Sequence, residues 1–166
     1  MKRRDFLSYS GGLLSGLFVS SLAGATSRSE ADILFGLSYP NLNGQKQALS
    51  RWQGQPLVVN FWATWCPPCV KEMPELDALH HQFSSTAFIG LAVDTAVNVE
   101  RFVKKVQVDY PLLLVGHEGI ALMRSLGNQT GGLPFTLVLD KNGKLAEAIL
   151  GEVKPEKLKA TLEALV

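Results

Sequence analysis

Cysteine is scarce in this chain of 166 residues: there are two, Cys66 and Cys69. Two cysteines cannot build a disulfide-dense scaffold, and they leave no odd thiol over. Histidine is scarce too. His80, His81 and His117 lack finger-like spacing, which disfavours a four-ligand zinc site. Neither sign of charge is in excess. The formal net charge is +1, and residues 1–25 hold Lys2, Arg3 and Arg4 against Asp5, which leaves the remainder at −1. Such a balance carries no electrostatic footprint for nucleic acid. Repeats and low-complexity tracts are missing. Long apolar runs are missing as well: Leu13–Ala23 is diluted by Ser15, Gly16, Ser20 and Ser21 and makes a poor spanning helix. What the chain does have is 46% hydrophobic content, enough for the core of one domain behind a leader.

The leader is residues 1–25. Lys2-Arg3-Arg4 is a charged n-region, the diluted apolar stretch follows, and Ala23-Gly24-Ala25 offers a small-residue cleavage site. Arg3-Arg4-Asp5-Phe6-Leu7 resembles a twin-arginine export signal. The rival reading is an uncleaved N-terminal anchor. Both place the domain outside the cytoplasm, in the periplasm. Residues 26–32 read as a polar linker and 33–166 as one domain.

Chemistry concentrates in Asn60-Phe61-Trp62-Ala63-Thr64-Trp65-Cys66-Pro67-Pro68-Cys69-Val70-Lys71-Glu72-Met73-Pro74. The apolar run Leu57–Trp62 predicts a strand, and a helical pattern follows the cysteines to about Phe83, with Met73, Leu76, Leu79 and Phe83 at helical spacing. A strand thus delivers Cys-x-x-Cys to a helix start, where unpaired N–H groups and the macrodipole favour a thiolate. That is the setting for thiol–disulfide exchange. Cys66, at the helix edge, is the expected nucleophile, and Cys69, one turn in, the resolving thiol. Pro68 suits the first turn, and Pro67 with it stiffens the turn. Glu72 shares a helix face with Cys69. It either handles the Cys69 proton or is an ordinary first-turn acid, and spacing does not decide between them. Asn60 interrupts an apolar strand and is expected to be hydrogen-bonded in the core. Trp62 and Trp65 are expected to wall the site. His80 and His81, being adjacent, point in different directions and are given no role; Pro74 is expected to kink the helix.

Around this centre, Ile33–Leu37 and Lys46–Leu49 read as two short strands flanking Pro40-Asn41-Leu42-Asn43-Gly44. Ala87–Val93 reads as a buried strand, Val99, Phe102, Val103 and Val106 as an amphipathic helix, 111–115 as a short extended piece, and Gly119–Leu126 as a short helix. Leu137–Asp140 and Lys144–Leu150 flank the hairpin signal Asn142-Gly143. Pro155 starts a last helix with Leu158, Leu162 and Leu165 on its buried face.

The segment Val-Val-Asn-Phe-Trp-Ala-Thr-Trp-Cys-Pro-Pro-Cys-Val-Lys-Glu-Met-Pro-Glu-Leu, from Val58 to Leu76, resembles the thioredoxin superfamily, and most of all its exported TlpA/ResA-like branch. The resemblance runs from about Leu34 to the C-terminus. It implies a thioredoxin fold: α/β, a mixed central sheet flanked by helices, with an N-terminal β-hairpin that extends the sheet. It implies that Glu72 tunes the thiols, and that Asn60 stands where cytosolic thioredoxins carry a buried Asp. It implies a cis peptide before Pro134, facing the cysteines, with Leu133 presenting backbone groups to an extended substrate. Phe135 departs from the small hydroxyl residue often found after this proline. Trp65, Pro67, Leu133 and Pro134 are therefore the expected substrate-facing residues.

The function expected is an exported thiol–disulfide oxidoreductase without cofactor or metal. By resemblance it reduces disulfides of protein substrates, takes electrons from a membrane partner, and serves cytochrome c maturation or copper-binding clients in oxidase assembly. The alternatives are a disulfide donor with a very low Cys66 pKa, a non-catalytic copper(I) chaperone using the dithiol, a purely structural disulfide, and a peroxidase, which the tandem cysteines disfavour.

Overall fold

The structure, a computed structural model, describes residues 29–166. The expected leader and the first residues of the expected linker lie outside the described residues. Elements follow in the order α1 (Glu30–Phe35), β1 (Ser38–Pro40), β2 (Lys46–Ala48), a 3-10 turn (Leu49–Trp52), β3 (Leu57–Trp62), α2 (Pro67–Gln82), β4 (Ala87–Ala92), α3 (Ala96–Phe102), β5 (Leu112–Leu114), α4 (Glu118–Ser125), β6 (Phe135–Leu139), β7 (Leu145–Leu150) and α5 (Pro155–Glu163).

Five strands form one mixed sheet in the order β5-β4-β3-β6-β7. β3 pairs parallel with β4 and antiparallel with β6, so the strand feeding the cysteines sits at the centre. Both faces of the sheet are covered, and the period-2 alternation of strands decides which side chains go where. Leu57, Val59 and Phe61 enter one core with Ile89, Leu91, Leu137, Leu139, α1 and α4 residues. Val58 and Trp62 enter the other with Phe88, Val138, and the α2 and α5 side chains Met73, Leu76, Leu158 and Leu162. By the same alternation Asn60 and its cross-strand neighbour Thr136 fall on the α2 face.

Three expectations need correction. Ile33–Leu37 is not a strand, because residues 30–35 are helical. Ser29 and Asp32 form a reciprocal capping box there, and Ala31 and Leu34 bury one face, so capping outweighs the strand-like look of Ile-Leu-Phe. The strand that pairs with β2 begins only at Ser38. The hairpin is present but does not extend the main sheet: β1 and β2 form a separate two-stranded sheet, which touches edge strand β5 through one bridge, Asn41 to Leu113. The amphipathic helix begins earlier than expected, at Ala96, because the Thr95 side chain accepts from the Asn98 N–H, and it ends at Phe102, short of Val103 and Val106.

The other elements follow the sequence. Pro74 lies inside α2, and the helix continues past it to Gln82. The Asn142-Gly143 turn closes the β6–β7 hairpin with Gly143 at φ 80°. Glycine is required there twice over, since a Cβ would also come within 3.0 Å of the Ala31 Cβ. Among the described residues no helix is long and apolar enough to cross a membrane.

Candidate active site

β3 ends at Trp62, and after four intervening residues the chain enters α2 at Pro67. Cys66 is the N-cap, with extended backbone, and Pro67 is the first helical residue. Neither Pro67 nor Pro68 brings an N–H, so the first helical amide belongs to Cys69. Cys66 and Cys69 are joined by a disulfide with an S–S distance of 2.04 Å. Cys69 is fully buried and Cys66 nearly so, at 5% exposure, so Cys66 is the more accessible residue of the pair. Trp65 stands out of the surface at 63% exposure, with Pro67 exposed beside it. Trp62 is completely buried against Phe102. Of the two tryptophans, one therefore packs the core and the other is available to a partner.

The loop that carries Trp65 is tied down from the neighbouring strand. Asp94, buried at the end of β4, accepts from the Thr64 N–H at 3.1 Å and the Thr64 hydroxyl at 2.6 Å through one oxygen. Its other oxygen accepts from the Thr95 N–H and the Asn98 side chain at the start of α3. Burial pushes the Asp94 carboxyl up, but these four hydrogen bonds outweigh it and hold the group below its ordinary value. A charged carboxylate thus pins the cysteine loop to α3.

Behind Cys69, one helical turn further, lies Glu72 with no exposed surface. One carboxyl oxygen accepts from Asn60 Nδ2 at 2.7 Å. The other accepts from the Val153 N–H at 2.8 Å, in the connection between β7 and α5. Asn60 Nδ2 also donates to the Thr136 hydroxyl at 3.0 Å, which joins the carboxyl to the strand that follows Pro134. Burial raises the Glu72 pKa to about 7, against the pull of its two donors; the charges of Glu152 and Glu75 add to the rise. Lys71, the nearest cation in sequence, is turned away to Glu152 at 2.5 Å. Asn60 is buried and hydrogen-bonded, as expected. The partners Thr136, bonded to Asn60, and Val153, bonded to Glu72, were not legible, since they lie 76 and 81 residues from the groups they bond.

The Leu133–Pro134 peptide is cis. Leu133, half-buried, packs against the core cluster that contains both cysteines. Its loop is held by Asn128, whose side chain donates to the Gly132 carbonyl at 2.8 Å and accepts from the Gly131 N–H. The Pro134 carbonyl accepts from the Gly151 N–H, so the loop is also fastened to the edge strand. Phe135, the departure after this proline, points into the opposite core and stacks near Phe61. The two segments singled out in sequence, 65–72 and 133–134, thus meet at one end of the sheet.

This arrangement can open and close a disulfide at a helix N-terminus beside a carboxyl that titrates near neutral pH. Comparison with known proteins agrees. The Redoxin family matches residues 26–165. ResA of Bacillus cereus, a thiol-disulfide oxidoreductase, is 30% identical over 161 residues, which cover 92% of this chain and 91% of that protein. A thioredoxin-related protein from Neisseria meningitidis serogroup B is 33% identical with a TM-score of 0.68, covering 76% of this chain and 96% of that one. The structure of MTB dsbF, solved in mixed oxidised and reduced forms, superposes with a TM-score of 0.71 over 81% of this chain and 98% of its own; at 24% identity that likeness speaks for the fold. Sequence, fold and site converge: this chain belongs to the Redoxin family, among the ResA-like thiol–disulfide oxidoreductases of the thioredoxin superfamily.

Proposed function

We propose that the protein is exported to the periplasm and works there as a reductase of disulfides in protein substrates. In this reading the Cys66 thiolate attacks a substrate disulfide and forms a mixed disulfide, expelling one substrate thiolate. Cys69 passes its proton to the Glu72 carboxylate and attacks the Cys66 sulfur. The second substrate thiolate leaves, and the Cys66–Cys69 disulfide forms. The substrate is left reduced by two electrons and the protein oxidised by two. A membrane electron donor then restores the dithiol. Trp65 and Pro67 offer an exposed apolar rim, and Leu133, beside the cis Pro134, a backbone edge for an extended chain.

The reductive direction rests on one observation, the buried Glu72 behind an uncharged Cys-Pro-Pro-Cys turn. A strong disulfide donor needs a reduced form stabilised as thiolate. Here the two residues between the sulfurs bring neither charge nor N–H, Lys71, the nearest lysine in sequence, is paired with Glu152, and a carboxyl stands behind the pair. Each of these withholds stabilisation from the thiolate, which favours the disulfide and makes the dithiol a reductant. Export is supported by the leader of residues 1–25. The family resemblance points to apocytochrome or copper-protein thiols as substrates.

The test is direct. The reduced chain is mixed with a disulfide-bonded peptide, and free thiol is counted. The wild type is expected to reduce about one disulfide per molecule, Cys66→Ser none, and Cys69→Ser to stop at a mixed disulfide. Substantial turnover by Cys66→Ser would remove the nucleophile from the scheme.

A further inference from the structure

Residues 151–153, in the connection from β7 to α5, make three polar ties in succession. The Gly151 N–H donates to the Pro134 carbonyl at 2.9 Å. The Glu152 carboxylate accepts from Lys71 Nζ at 2.5 Å. The Val153 N–H donates to Glu72 at 2.8 Å. Two adjacent residues of α2 therefore hold two adjacent residues of the connection, and the same short segment reaches the cis-proline loop. The third tie fixes one oxygen of the carboxyl behind Cys69. The second lies at the surface, with the Lys71 side chain 69% and the Glu152 side chain 39% exposed.

The N–H that bonds Glu72 belongs to the peptide plane between Glu152 and Val153, and a planar peptide turns as one unit. Its direction depends on what holds the two ends. Val153 is held, since its side chain is buried in the same core as Cys69, Met73 and Leu158. On the other side Gly151 has no side chain, and its φ of 92° lies in the region open to glycine. A surface cavity of about 360 Å3, lined by Glu75, Glu152, Val153, Lys154 and Pro155, opens beside the segment, so packing does not hold Glu152 from there. Among the described residues the Glu152 side chain has one partner, Lys71.

We propose that the Lys71–Glu152 pair is a clasp that aims the Val153 N–H at the Glu72 carboxyl, which makes Lys71 and Glu152 positioning residues for the proton step at Cys69. That step rests on the reading of Glu72 as acceptor of the Cys69 proton; the clasp itself does not. The charges that act on Glu72 are Glu75 on its own helix and Glu152 from the connection, and both raise its pKa. From β3 it meets only the uncharged Asn60, which in turn bonds Thr136 of β6, and the buried Tyr110 before β5 feels the Glu72 charge. The Val153 N–H acts in the opposite sense and stabilises the carboxylate. Loosening the clasp therefore raises the Glu72 pKa, whereas deleting the Glu152 charge alone lowers it.

The experiment follows the Glu72 carboxyl carbon by NMR as pH is varied, in the full oxidised chain, where the cysteines do not titrate. Glu152→Gln and Glu152→Ala remove the same charge, but Gln keeps an oxygen for Lys71 and Ala does not. Both sites are at the surface, so folding is preserved. Glu72 should titrate about half a pH unit higher in Glu152→Ala than in Glu152→Gln, the scale of an exposed pair. Lys71→Met should raise the titration further in the Gln background than in the Ala background, where no clasp is left to break. Equal titrations in Glu152→Ala and Glu152→Gln would overturn the clasp and leave Glu152 as a charge acting through space. The proton step is read separately, from the pH profile with which Cys69 resolves a mixed disulfide on Cys66. A profile that stays fixed while the Glu72 titration moves would support the clasp and count against the proton reading of Glu72.

Discussion

Replacing Glu72 with Gln turns the unusual carboxyl into a stability measurement. In the folded protein its pKa is raised from the ordinary 4.5 to about 7. The folded state therefore holds the proton across that window while the unfolded chain has released it. Stability from this group is complete below about pH 4.5 and is lost as pH rises through 7. At about 1.4 kcal/mol for each tenfold change, the loss amounts to roughly 3 kcal/mol. Gln carries no charge and follows no such curve. It also fits the site: if Asn60 turns its amide over, Oδ1 accepts from the new NH2 and from the Thr136 hydroxyl, while the Gln oxygen still accepts from Val153. The assay is urea unfolding of the oxidised chain, in which the cysteines do not titrate, at intervals from pH 4.5 to 8. Subtracting the variant from the wild type removes every other titrating group. The wild type should lose about 3 kcal/mol relative to Glu72→Gln across this range. Two curves that stay parallel within about 1 kcal/mol would refute the argument that burial dominates the Glu72 environment.

Further perturbations follow from the same structure. Asn60→Ala removes the donor to one Glu72 oxygen and should cost about 1–3 kcal/mol in urea unfolding above pH 7, with the Glu72 titration moved still higher; an unchanged titration would mean that the bond contributes nothing. Trp65→Ala, at an exposed position, should leave the unfolding midpoint nearly unchanged but raise KM for protein substrates and not for a small disulfide. Gly90→Ala would bring a Cβ to 2.6 Å from Leu112 Cδ2 and 3.0 Å from Trp62 Nε1, behind the site. Overpacking of this kind should lower stability by about 1–3 kcal/mol, read as a lower melting temperature with the redox chemistry preserved.

The central strand and the cysteine helix were legible because their signals agree: an apolar run, Cys-x-x-Cys, Pro at the helix start, and helical spacing to Phe83. The β6–β7 hairpin was legible from Asn142-Gly143 for the same reason. The opening helix was not, because Ile33-Leu34-Phe35 matches a strand when read alone; the deciding signal, Ser29 three residues before Asp32, sat in what reads as linker. At the site, Glu72 was visible by spacing, but its chemistry is set by burial under residues far away in sequence. No local pattern announces that Val153 donates to it or that Thr136 shares Asn60. Resemblance alone supplied the cis peptide at Pro134, since proline chemistry by itself favours trans.

The reductive direction of electron flow is tested most directly by the reduction potential of the Cys66–Cys69 pair, measured by equilibrating the protein with defined thiol buffers. The account predicts a value toward the thioredoxin end, about −270 mV, because the Pro-Pro turn adds neither charge nor N–H to what the helix terminus gives the thiolate. A value near about −120 mV would contradict it and make the protein a disulfide donor.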